Sequence, residues 1–66
     1  MAKYTEEEKK NYEAKYKYAC VLYSEGVDAE GKQRRDKLSQ AKNVLNLLPD
    51  DWPGKNDMIS KINYML

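Results

Sequence analysis

From Tyr16 to Tyr23 every residue except Lys17 is apolar or aromatic, a dense run in a chain whose mean hydropathy is only −0.99. Wound as a helix, this run points apolar side chains around its whole circumference and needs cover on more than one side. Thr5 and Glu8 form a Thr-x-x-Glu capping box, in which hydroxyl and carboxylate each satisfy an orphan backbone N–H. Glu6, Glu7 and Glu8 suit the positive helix end. Tyr12, Tyr16, Ala19, Cys20 and Tyr23 recur on one helical face, with Glu6/Lys10 and Glu13/Lys17 as i,i+4 ion pairs. Gly26 reads as the left-handed residue of a Schellman ending, with Val27 touching Leu22. The pattern predicts a first helix over about 6–25.

Val27–Gly31 reads as a turn, and Leu38, Ala41, Val44, Leu45 and Leu48 then line a second helix over about 32–48 that Pro49 ends. Asp50-Asp51-Trp52-Pro53-Gly54 is a connector, with an aspartate as N-cap and Pro53 in the first turn of a third helix over about 53–66. Met58, Ile59, Ile62, Met65 and Leu66 give that helix its apolar face. Tyr16–Tyr23 has strand propensity, yet no second β-rich run exists to pair with it. The expected class is all-α: residues 1–66 as one small three-helix domain, a helical hairpin plus a shorter C-terminal helix. A domain of this size buries only about 60% of its unfolded surface, so a staple or a partner is favoured. Cys20 is the sole cysteine and there is no histidine, which leaves association as the staple and excludes both an internal disulfide and a zinc-finger ligand set.

Tyr18–Asp51 resembles one tetratricopeptide repeat, in Ala19 at a small-residue position, Leu22 and Tyr23 at large ones, Gly26 at the turn, and Val44-Leu45-Asn46-Leu47-Leu48-Pro49-Asp50 over the closing stretch. The chain departs from that pattern at Lys37, where a small residue is usual, at Ala41, where an aromatic is usual, and in a longer turn. The resemblance implies hairpin geometry and protein binding.

Twelve Lys and Arg against eleven Asp and Glu give a net charge of +1, too balanced for polyanion binding on bulk charge. The amino terminus lacks a signal-peptide core, and no apolar stretch approaches the ~20 residues of a membrane span. With one unpaired cysteine in an apolar run, the expectation is a cytoplasmic protein. Without histidine the commonest general base is missing, and Ser/His/Asp and Cys/His arrangements are impossible. Asp50, Asp51 and Asp57 do not follow calcium-loop spacing and read as turn and capping residues, while Cys20 sits among apolar neighbours that raise a thiol pKa. No enzyme, cofactor or metal is expected.

Two surfaces remain as candidates. Ala14, Tyr18 and Val21 project away from the Tyr12/Tyr16/Ala19/Tyr23 face, and tyrosine offers interfaces a large rigid area with a hydrogen bond. Trp52, in the linker, reads first as a lid over the helix junction and second as a further candidate protein contact. Lys32, Arg35, Ser39, Lys42 and Asn46 form a polar stripe along the second helix, flanked by Arg34 and Lys37. A solvated face is the ordinary reading of that stripe, and a nucleic-acid contact the functional one. The expectation is a small protein-binding module acting by occupancy as an adaptor, regulator or phage-type inhibitor of a larger complex. Homodimerisation is compatible with this role, and nucleic-acid binding through the basic stripe is the alternative.

Overall fold

The computed structural model describes residues 4–66, so the first three residues of the amino-terminal segment and of the 1–66 domain lie outside the described residues. Three helices, α1 (Glu6–Asp28), α2 (Gly31–Leu45) and α3 (Lys55–Met65), follow one another without a strand among the described residues. The fold is all-α: α1 and α2 pack as a hairpin, and the shorter α3 packs on α2 of the same chain.

The start of α1 is written locally. Thr5 accepts from the Glu8 N–H at 3.1 Å while the Glu8 carboxylate accepts from the Thr5 N–H at 3.0 Å, the complete capping box. Its end differs from the Schellman expectation. Gly26 is buried inside the helix without a positive φ, and α1 continues to Asp28 before Ala29 turns to extended backbone. The reason is packing: a Cβ on Gly26 would lie 2.9 Å from Leu38 Cγ and Cδ2 and 3.3 Å from Lys37 Cβ. Gly26 is a point of close approach between the two helices, and that approach, not chain reversal, requires its missing side chain.

The last turn of α1 carries no basic residue of its own, and α2 supplies one. Arg34 donates from Nε to the Ala29 carbonyl at 3.1 Å and from Nη2 to the Val27 carbonyl at 3.2 Å, covering acceptors at the negative helix end. Lys37 pairs with Glu25 at 3.1 Å across the same crossing. Both flanking cations of the basic stripe therefore serve the hairpin itself.

The core is thin and centred on α2. Leu38, Ala41 and Leu45 from α2, Ala19 and Leu22 from α1, Leu48 from the connector and Ile62 from α3 are its buried apolar residues. Tyr12, Tyr16, Tyr23, Val44, Trp52, Met58, Ile59 and Met65 close over it, half-buried. Full burial of each large aliphatic side chain contributes roughly 1.5–3 kcal/mol, so Leu38, Leu45 and Ile62 supply much of the driving force. Leu66, read as part of the third apolar face, is instead half-exposed at the end of α3.

The α2–α3 junction also departs from expectation. Helix α2 ends at Leu45, and 46–48 continue as tighter turns with Leu47 N–H to Val44 O and Leu48 N–H to Leu45 O, both 3.0 Å. Neither aspartate caps α3, and Pro53 lies outside it. Gly54 is the N-cap, in the left-handed region at φ 84°, and the Tyr16 hydroxyl covers it so closely that a Cβ there would lie 2.5 Å from the oxygen. Asp50 and Asp51 are engaged elsewhere: Asp50 accepts from Lys55 at 3.1 Å and Asp51 accepts from the Tyr4 hydroxyl at 2.8 Å.

Candidate functional site

A helix turns 100° per residue, which places Ala14, Tyr18 and Val21 within an arc of about 60° on one side of α1. All three are exposed, with Tyr18 at 55% and Val21 at 52%. The opposite side of the same helix carries Tyr12, Tyr16, Ala19 and Tyr23 into or against the core. Because α2 covers α1 along one flank and α3 packs chiefly on α2, the Ala14/Tyr18/Val21 side faces outward. The three residues thus form one continuous, partly apolar stripe bounded by Lys10, Lys17 and Glu25, all exposed.

Trp52 is not part of that stripe. It is half-buried and packs edge-on against Tyr12 with ring centroids 5.7 Å apart, while Tyr4 meets Tyr12 edge-on at 5.5 Å and tilts toward Trp52 at 6.5 Å. Tyr12 lies about 200° around α1 from Ala14, so Trp52 sits over the far side of the helix. The three rings pin the 51–53 connector to the beginning of α1, and two of them, Tyr4 and Trp52, line an open cleft of about 400 Å³ together with Lys9, Glu13, Asp51 and Pro53. The hydrogen bond to the Asp51 carboxylate pushes the Tyr4 pKa up to about 12, because that bond exists only while the phenol keeps its proton. Burial, with Cys20 next in effect, raises the Tyr16 pKa in the same direction.

The basic stripe of α2 is broken by α3. Lys32, Arg35 and Asn46 are exposed, but Ser39 and Lys42 are half-buried, and the Lys42 ammonium donates to Asn63 Oδ1 on α3 at 2.7 Å. With Arg34 and Lys37 committed to the hairpin, Lys32 and Arg35 are the exposed cations of this helix that form no ion pair or side-chain hydrogen bond among the described residues.

Sequence reasoning gives no sign of the most unusual charge in the molecule. Lys55 is 5% exposed, and its ammonium donates to the Leu48 carbonyl at 2.9 Å and to Asp50 at 3.1 Å. A lysine opening a helix is unfavourable for that helix's own dipole, and here the charge serves the preceding chain instead. Nothing in the local sequence distinguishes it from any surface lysine beside a Pro-Gly turn.

Among the described residues there is no group of three or more His, Cys, Asp or Glu placed to hold a metal ion, and no helix long and apolar enough to cross a membrane. Comparison of the chain with protein-family models, with curated proteins and with solved structures returned no match.

Proposed function

We propose that this protein is a small non-enzymatic protein-binding module that acts by occupancy, as an adaptor, regulator or inhibitor of a larger macromolecule, with Ala14, Tyr18 and Val21 as its contact surface. The single observation that supports this reading is the outward stripe of α1: a helix that supplies the core with one face presents a second face whose central tyrosine and valine are more than half exposed. The absence of histidine from the sequence argues against ordinary acid–base catalysis near neutral pH. The resemblance of residues 18–51 to a tetratricopeptide hairpin points the same way.

Binding of nucleic acid through α2 is the rival reading, and the two are separated by salt and by charge. A contact through Lys32 and Arg35 weakens steeply as salt rises and is lost in Arg35→Glu, whereas an apolar contact through Tyr18 is little affected by either. The experiment is affinity capture from the native host with the wild type, Tyr18→Asp and Arg35→Glu, at low salt and at about 0.5 M salt. A protein captured by the wild type and by Arg35→Glu in both salts, but not by Tyr18→Asp, is the expected result. Capture that survives Tyr18→Asp unchanged overturns the assignment.

A further inference from the structure

The outer stripe of α1 has a symmetry of its own. Lys10, Ala14, Lys17, Tyr18, Val21 and Glu25 all face solvent, and their spacing reads the same from either end: Lys10 stands four residues before Ala14, and Glu25 four residues after Val21. The order of chemistry along the stripe is cation, small apolar, centre, apolar, anion. Laid parallel on itself, such a stripe sets Lys10 against Lys10 and Glu25 against Glu25, which repel. Laid antiparallel, it sets each cation against an anion and each apolar residue against another.

We propose that this stripe binds a second copy of the chain, antiparallel, about a two-fold axis passing between Lys17 and Tyr18. The proposal rests on the reading of the Ala14/Tyr18/Val21 stripe as a binding surface and names its occupant. About that axis Ala14 meets Val21 of the second copy, the Lys17 stem lies over the second copy's Tyr18 ring, and Lys10 meets the second copy's Glu25. Each contact occurs twice, as an isologous interface requires. Ala14 is small enough to admit the facing valine at ordinary helix-packing distance, and an ammonium over a tyrosine face is attractive. Glu25 already pairs with Lys37 at 3.1 Å, yet half of its side chain remains exposed to a second cation. The register also sets its own limit: Glu7 would face Asp28 of the second copy, so the complementary zone ends at the Lys10–Glu25 pairs. A complementary zone confined to one helix face over 10–25 makes a small interface and a weak dimer, so the concentration series has to reach about 10⁻⁴ M and beyond.

Sedimentation of the full chain over a concentration series tests this. The wild type is expected to shift from monomer to dimer with concentration, and Tyr18→Asp to remain monomeric. Lys10→Glu and Glu25→Lys each turn two attractive pairs into repulsive ones and weaken self-association about tenfold or more. Mixing these two variants brings opposite charges back together and restores the dimer as a mixed species, which no simple loss of folding can imitate. Circular dichroism of each variant confirms that the helices persist. A wild type that stays monomeric up to about 1 mM, or a dimer indifferent to both charge reversals and to their mixing, overturns the inference. If the wild type is monomeric while Tyr18→Asp still abolishes capture of a different protein, self-pairing is wrong and the binding surface stands. If Tyr18→Asp changes neither, both fall.

Discussion

The Lys55 ammonium reaches back seven residues to the main-chain carbonyl of Leu48, at 2.9 Å, from a position that is almost wholly buried. Leu48 is the last buried residue of the segment that closes α2, three residues past the helix end at Leu45. The four-carbon stem of Lys55 is buried with it, and its charge is placed against one main-chain carbonyl and the Asp50 carboxylate. One side chain therefore ties the end of α2 to the start of α3.

Lys55→Met keeps the stem and removes the donors, leaving the Leu48 carbonyl without its side-chain partner. This variant is expected to lose about 1–2 kcal/mol of stability, read as a lower urea midpoint at unchanged slope. Asp50→Asn leaves the midpoint close to wild type, because the Asp50 side chain is fully exposed and its pairing with Lys55 is screened by water. Equal losses in the two variants would show that the ion pair, not the carbonyl contact, holds the junction.

Gly26→Ala is expected to destabilise the hairpin although alanine is the better helix former by about 1 kcal/mol. The new methyl would meet Leu38 at 2.9 Å in a fully buried setting, and overpacking of this kind costs about 1–3 kcal/mol. Shortening Leu38 to Ala in the same chain relieves the clash, so the double variant loses less than the sum of the two single ones. A stabilised Gly26→Ala would mean that the helices cross elsewhere.

The Tyr4–Asp51 hydrogen bond makes stability depend on pH at the alkaline end. Tyr4 has a folded pKa of about 12 against an ordinary value of 10.0, so its contribution is complete below pH 10 and disappears as pH rises toward 12. Tyr4→Phe removes the bond at every pH. The stability gap between wild type and Tyr4→Phe, measured by denaturant unfolding, is therefore constant to about pH 10 and closes by about pH 12. A gap that stays open above pH 12 would show that ionisation of the Tyr4 hydroxyl does not break the contact with Asp51.

Tyr18→Asp separates surface from scaffold. Because Tyr18 lies outside the core, the substitution is expected to change stability by less than about 1 kcal/mol while abolishing association. Thr5→Ala is its converse: loss of the cap costs about 1 kcal/mol and leaves binding intact. Calorimetric unfolding alongside sedimentation reads both quantities, and a Tyr18→Asp variant that unfolds would place the ring in the core.

How far the sequence reaches can be seen residue by residue. The capping box at Thr5 and Glu8, the apolar stripe of Leu38, Ala41 and Leu45, and the outward direction of Tyr18 and Val21 were all legible, since each depends on groups within one or two helical turns. The helix period alone decides which side chains share a face, and a short cap is complete within four residues.

Only the tertiary structure decided what long-range neighbours impose. Gly26 has the look of a helix terminator in sequence, yet Leu38 of the next helix makes it a crossing point and lets α1 run on to Asp28. Lys42 and Arg34 look like free cations until Asn63 and the Val27 and Ala29 carbonyls arrive beside them. Trp52 reads in sequence as a lid or a contact, and docking alone sets its ring partners as Tyr4 and Tyr12, just as it takes Lys55 from the surface into the interior. Hydrophobic periodicity carries no record of which partner a polar or aromatic tip will meet across the fold. That is fixed when the helices dock and bring donor and acceptor within about 3 Å of each other, as in each of these hydrogen bonds.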